Sequence, residues 1–170
     1  MNTPSYKLIA ILFGIGVTLH NLEEAMFLVR WYGIHLRLRF TPNAKIYWVV
    51  TSLVSVAIWI PIVAVCVRPD STRFQWALAG FALVMAVNAV IPHLVWTVAT
   101  RSYSPGTGTG MLLNLPLGTW LIHKQWSAHM LTNIWRQAVP FSMLLVIGAF
   151  AILFGAHAIR GWKRQSRLSR

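Results

Sequence analysis

Residues 8–29 read LIAILFGIGVTLHNLEEAMFLV, an apolar run that carries a histidine and two glutamates in its second half. A run of roughly 20 predominantly apolar residues can cross the hydrocarbon core of a bilayer as a helix. A secretory signal peptide has a shorter apolar region followed by a small-residue cleavage site, whereas here the apolar character resumes after the glutamates. The stretch therefore predicts a first transmembrane helix that buries acidic side chains.

The composition of the whole chain agrees with a membrane protein. Of its 170 residues, 56% are hydrophobic and 11% are charged, and the mean hydropathy is +0.59. A soluble domain would carry about a quarter of its residues as charges. Apolar runs predict an all-α fold, a polytopic membrane helix bundle of about five transmembrane helices, at 8–29, 46–67, 74–99, 111–122 and 138–159. We expect one domain over 1–170 with a short basic tail at 160–170.

The fourth run is too short for an ordinary span. It contains Pro116 and Gly118, so it could form a short or broken span, a re-entrant hairpin, or an interfacial segment. Five spans place most of the Lys and Arg residues on the side that holds the C-terminal tail. The positive-inside rule then predicts a cell-membrane protein with its N-terminus outside and its C-terminus in the cytoplasm.

The charge balance also bears on the partner. The chain has 15 Lys and Arg residues against three acidic residues, and a net charge of +12 would suggest nucleic acid in a soluble protein. Here the basic residues lie between the apolar runs and in the tail, where anionic lipid headgroups attract them. We therefore expect the lipid bilayer as a partner and no nucleic acid.

The acidic residues of the first span need an explanation. An ionised side chain at the bilayer centre costs at least about 2.5–3.5 kcal/mol, so Glu23 and Glu24 must be paired, protonated, solvated or metal-bound. His20 precedes them by three and four residues, a spacing that places all three on neighbouring turns of one helical face. A single helix can thus present an imidazole beside two carboxylates.

Asn88 and His93 of the third run are candidate partners for this group. If spans one and three are parallel, Asn88 matches the depth of His20, and His93 matches that of Glu24 to within roughly 5 Å. A straight helix would separate Asn88 and His93 by roughly 140°. Pro92 has no N–H to donate, and we predict that it kinks or locally unwinds the span so that both side chains face one site.

Two kinds of chemistry fit these residue types. The first is a divalent metal site for Zn, Fe or Mn, held by His20, Glu23, Glu24 and His93. The second is acid/base catalysis by Glu23 and Glu24, supported by His20, His93 and Asn88, because neighbouring carboxylates push their pKa values apart. The residues do not separate these alternatives.

Two short motifs and one histidine resemble a known family. The segment HNLEE at 20–24, His93 and the segment YSPG at 103–106 are similar to the HXXEE motif, further histidine and YXPG motif of the HXXEE family. Its members are small multi-spanning membrane proteins without a characterised function. The resemblance implies site positions at His20, Glu23, Glu24, His93, Tyr103 and Gly106, and it adds Tyr103 and Gly106 as cofactor-binding candidates.

The YSPG segment has two interpretations. It could be a tight turn with proline at its second position. Alternatively, the loop could fold back over the acidic cluster, with the Tyr103 hydroxyl as a hydrogen-bond donor.

Three functions remain open. The first hypothesis is a membrane-embedded, metal-dependent or acid/base enzyme that acts on a lipid or another apolar small molecule. The second is a proton- or ion-coupled transporter, because intramembrane carboxylates and histidines also form relays. The third is a structural or accessory protein in which the cluster only ties helices together, at about 0.6–2 kcal/mol for each hydrogen bond.

Overall fold

The computed structural model describes residues 4–36, 43–149 and 151–152. Over these residues the chain is helical and has no strand, which confirms the all-α prediction. In the described part of the chain five helices follow one another, and each overlaps one predicted run: α1 (Pro4–His35), α2 (Ala44–Val67), α3 (Thr72–Thr100), α4 (107–127) and α5 (Ile134–Ala149).

Three of these helices have the dimensions of membrane spans. By length and composition, α1, α2 and α3 are long and apolar enough to cross a bilayer. The described part of α5 is apolar but shorter. The basic tail at 160–170, the last part of the predicted span 138–159, and Arg37 and Arg39 lie outside the described residues, and the orientation of the termini stays a prediction.

The fourth helix is longer than its predicted run. It begins with Thr107–Thr109, widens into a π-helical turn at Gly110–Asn114 and continues as Leu115–Ser127. Pro116 lies in the first turn of that last segment, where a missing N–H is tolerated. Residues 111–122 therefore belong to one helix and not to a hairpin.

The core lies where α1 to α4 meet. Phe13, Ile58, Leu78 and Leu121, one from each helix, are fully buried there. Near the N-terminus of α1, Gln125 donates hydrogen bonds of 3.0 Å to the Tyr6 hydroxyl and to the Gln75 carbonyl, and Tyr6 donates to the Gln75 side chain. This polar contact links α1, α3 and α4 about 21 Å along α1 from His20.

The last helix packs on α3 through a small residue. Ser142 of α5 donates a hydrogen bond of 3.0 Å to the carbonyl of Gly80. A Cβ atom on Gly80 would lie 2.7 Å from the Cβ of Phe141 and 3.0 Å from the carbonyl oxygen of Ala138. Glycine at position 80 therefore permits the close approach that places α5 beside α3.

We expect Gly80→Val to destabilise the protein by about 1–3 kcal/mol, because the added side chain overlaps the backbone of α5. The measurement is the midpoint of thermal unfolding in detergent. The matched control is Gly148→Val on α5, where an added Cβ meets no atom within 4 Å. Equal midpoints for the two variants would contradict this account of the α3–α5 contact.

Candidate functional site

A buried group of three side chains joins α1 to α3. His20 Nε2 lies 3.2 Å from Glu24 Oε1, and His93 Nε2 lies 2.6 Å from the same oxygen. The two imidazole rings are perpendicular, with centroids 5.0 Å apart. One nitrogen from each ring and the carboxylate oxygen all lie within 4.8 Å of one another. Three atoms that can bind a metal thus converge on one small volume.

A break in α3 brings His93 to this group. Ile91 has a non-helical backbone (φ −121°, ψ 110°), so the segment Ala89–Leu94 is a kink between two helical parts of α3, and the Ile91–Pro92 peptide bond is cis. Asn88 Nδ2 lies 3.0 Å from His20 Nε2, while His93 reaches Glu24. Asn88 and His93 therefore face one site, which confirms the local unwinding predicted around Pro92.

His93 meets Glu24 as an ion pair. Its Nε2 lies 2.6 Å from Glu24 Oε1, whereas its Nδ1 is buried and has no hydrogen-bond partner among the described residues. Leaving a buried polar atom unpaired costs about 1–3 kcal/mol. Such an atom in a native site usually has a water or an ion as its partner, so the His93 ring offers a nitrogen that an ion could bind.

The second oxygen of Glu24 is held by α2. The buried Tyr47 hydroxyl donates a hydrogen bond of 2.7 Å to Glu24 Oε2. Tyr47 was not a candidate from the sequence, because it is one of several hydroxyl-bearing residues in the second apolar helix and nothing distinguishes it. Glu24 therefore has partners from three helices.

Glu23 has different neighbours from Glu24 and does not join the three-residue group. Tyr103 donates a hydrogen bond of 2.6 Å to Glu23 Oε1, and Thr109 donates one of 2.7 Å to Oε2. Partial burial and the bond to Glu23 raise the pKa of the Tyr103 phenol, so that this side chain stays a proton donor. Adjacent helical residues point about 100° apart, which separates the two carboxylates.

Thr109 also connects Glu23 to His20. Its hydroxyl oxygen lies 3.1 Å from His20 Nδ1. Because the single hydroxyl proton goes to Glu23, we assign the donated proton of that second contact to Nδ1. His20 Nε2 then keeps its lone pair, the form of imidazole that binds metals. Metal-binding histidines commonly donate their other N–H to such a polar chain. Thr109 was not a candidate from the sequence, because it lies in a segment of Gly and Thr after the YSPG motif where nothing distinguishes it.

The YSPG loop folds back over the cluster. Gly106 has φ +94°, a conformation that favours glycine. A Cβ atom on Gly106 would lie 2.7 Å from His93 Cε1 and 3.0 Å from His20 Cε1. Tyr103 donates to Glu23 and accepts a 3.0 Å hydrogen bond from the backbone N–H of Gly108. The loop is thus a turn whose backbone supports both imidazoles, and the predicted Tyr103 donor is present.

A cavity of about 770 Å³ borders the cluster. Its walls come from α1, α2, α3 and α5, and most of its lining residues are apolar. Glu24, Asn88 and His93 line it, whereas His20 and Glu23 do not. A molecule in the cavity would therefore meet one carboxylate, one amide and one imidazole of the cluster.

These features define an all-helical protein with three helices of membrane-span length and a His–Glu–His group beside an apolar cavity. The sequence profile of the family described as "Protein of unknown function with HXXEE motif" matches residues 11–121. The chain belongs to this family, which confirms the resemblance found in the motifs. The matched region contains His20, Glu23, Glu24, Asn88, His93, Tyr103, Gly106 and Thr109, and it ends before α5.

One curated relative was also found. The chain is 26% identical over 141 residues to the uncharacterized protein YrkK of Bacillus subtilis (strain 168), covering 83% of this chain and 88% of the relative. No solved structure matches the chain significantly.

We expect Gly106→Ala to lower stability by about 1–3 kcal/mol, because alanine would be strained at a positive φ and its methyl group would press on both imidazoles. Thermal unfolding in detergent measures the effect. Gly33→Ala on α1 is the matched control, since a Cβ there meets no atom within 4 Å. If both alanine variants unfold at the same midpoint temperature as the wild type, the loop does not support the imidazole rings as described.

Proposed function

We propose that this protein is a membrane-embedded, metal-dependent enzyme that acts on a lipid or another apolar substrate. The observation that carries the proposal is the convergence of His20, Glu24 and His93 to within 4.8 Å at a buried position. Two histidines and one carboxylate bind zinc in hydrolases and iron in oxygenases, and manganese also accepts such ligands. Three protein ligands leave coordination positions open, as catalytic metal sites require.

The surface of the bundle supports a place in the cell membrane. Large apolar side chains are exposed along the long helices, among them Leu19 on α1, Ile60 on α2 and Val98 on α3. Extended exposed apolar surfaces are rare in soluble monomers. In a bilayer the same side chains would contact acyl chains, which is the environment that the length and composition of α1 to α3 favour.

The cluster residues take different roles in this proposal. His20, Glu24 and His93 are the metal ligands, and a bound ion would supply Lewis-acid activation of a carbonyl group or a water molecule. Tyr47 fixes the carboxylate of Glu24 from the other side. Glu23 acts through Thr109 to set the ring orientation of His20, which makes it a positioning residue.

Asn88 borders the cavity and supports the His20 ring, since its Nδ2 lies 3.0 Å from His20 Nε2. Tyr103 and Gly106 support the ligands from the loop and do not coordinate the ion.

The proposal predicts that the purified protein contains a divalent zinc, iron or manganese ion, and that Glu24→Gln and His93→Asn lose it. Elemental analysis of membrane-extracted protein measures the content. His123→Asn is the matched control, because His123 is exposed on α4 away from the group, and it keeps the ion. Similar metal content in all variants would refute the ligand assignment. An ion-free wild type that is strongly destabilised by Glu24→Gln would favour the structural role instead.

Substitution of a ligand and substitution of a positioning residue should weaken metal binding to different extents. We expect Glu23→Gln and Thr109→Val to weaken metal binding by about 10–100-fold, the usual cost of losing the partner of a ligand, while saturating metal still fills the site. Competition with a chelating dye measures the dissociation constant. Complete loss of binding in Glu23→Gln, equal to that in Glu24→Gln, would make Glu23 a ligand and contradict the assignment.

Along α1, the buried side chains favour an enzyme over the alternative of proton- or ion-coupled transport. A transport path needs polar groups along the bundle. The buried positions of α1 between Tyr6 and Gly16 are apolar residues or glycine, Phe13 among them. The buried polar residue that packs near this stretch is Asn114 of α4, beside Gly16, so α1 itself offers no polar side chain between Tyr6 and that level.

A further inference from the structure

The cavity has a polar end at the cluster, and the rest of its wall is mostly apolar. Its volume of about 770 Å³ falls within the range of roughly 300–1,000 Å³ typical of small-molecule sites. Asn21, Thr51 and Ser142, which also line it, already donate hydrogen bonds to protein groups. Among the fully buried polar atoms of the described lining residues, those without a hydrogen bond belong to His93, next to the Glu24 carboxylate. This distribution of polar atoms suits a molecule that has one polar end and is otherwise a hydrocarbon chain.

The opening of the cavity is apolar. Val87 and Ile91, one turn apart on α3, line the cavity and are 51% and 63% exposed. Met143 and Ile147, one turn apart on α5, also line it and are 57% and 59% exposed. Side chains that both line a cavity and reach the surface mark its mouth. In a membrane-spanning bundle, a mouth framed by these four residues faces acyl chains, and an apolar molecule could enter without leaving the bilayer.

The charges at the polar end select the head of the ligand. With Glu24 as the only carboxylate ligand and two neutral imidazoles, a divalent ion leaves a net charge of +1 in a buried position. Glu23 lies outside the ligand group, because its oxygens bond to Tyr103 and Thr109, and its charge reaches the group only through Thr109 and the His20 ring. A buried net charge is costly unless it is paired, so the open coordination positions favour an anionic or strongly polarised oxygen.

From these features we infer that the ligand is a single-chain lipid ending in a carboxylate or an ester carbonyl, which enters sideways between α3 and α5 and places that oxygen at the His20–Glu24–His93 group. This inference rests on the proposed function, since it uses the charge of the bound ion. It names the substrate class: a long hydrocarbon chain with a terminal carbonyl group.

The test uses palmitic acid with a photoreactive diazirine in the middle of its chain. The full-length protein is placed in phosphatidylcholine nanodiscs and illuminated, and the labelled peptides are mapped by mass spectrometry. We expect label on the cavity-lining segments of α3 and α5. Excess palmitate or methyl palmitate should reduce this label about tenfold, because each lowers the occupancy of the cavity by the probe about tenfold. Hexadecanol, with the same chain and no carbonyl, should not compete. Stronger competition by palmitate assigns a fatty acid, and stronger competition by the methyl ester assigns an acyl ester.

A pair of variants on α5 tests the location. Val146→Trp fills the cavity that Val146 lines and should abolish the label. Leu144→Trp is the matched control, because Leu144 is 68% exposed and is not part of the lining, and it should keep the label. Both variants should retain the metal ion. Labelling that survives Val146→Trp, or competition by hexadecanol as strong as that by palmitate, would overturn the inference.

Metal content measured on the same samples separates the two proposals. A wild-type protein that holds its ion but shows no label in the cavity overturns the lipid ligand alone. A wild-type protein that never holds an ion overturns the proposed function, and the charge argument for the ligand falls with it.

Discussion

A buried carboxylate determines how this bundle is put together. Glu24 is 7% exposed, and an ionised group in such a place is costly unless other groups pair with it. Its partners come from its own helix (His20), from α2 (Tyr47) and from α3 (His93). The three helices must pack so that each brings a partner to the Glu24 carboxylate. The positions of these helices and the chemistry of the site are therefore linked.

The regular helices alone could not build this site, and the chain departs from α-helical geometry at three places around it. The segment Ala89–Leu94 turns His93 toward Glu24, and Gly106 reverses the chain next to the two imidazoles. The π-helical turn Gly110–Asn114 lies beside Ala89, where a Cβ on Gly110 would be 3.1 Å from the Ala89 Cβ. Irregular backbone of this kind is often found at functional sites, because it aims side chains that a straight helix would separate.

The two glutamates of the HXXEE motif are chemically distinct in the folded protein. The second one meets both histidines and borders the cavity, whereas the first is held by Tyr103 and Thr109 on the opposite side of His20. The YXPG motif has a physical role as well, since its tyrosine binds the first glutamate and its glycine makes room for both rings. The family motifs thus describe one connected cluster, and the wall supplied by α5 lies beyond the family match.

The sequence by itself determined the all-helical class, the approximate positions of the helices, the placement of His20 beside the two glutamates and the need for a break at Pro92. These follow from apolar run length, from the spacing of residues along a helix and from the missing N–H of proline, all of which can be counted along the chain. Only the tertiary structure decided that Glu23 turns away from the histidines, that Tyr47 and Thr109 complete the cluster, and that α5 closes a cavity beside it. The rotation of each helix about its own axis depends on the simultaneous packing of all its neighbours, and no local pattern in the chain records it.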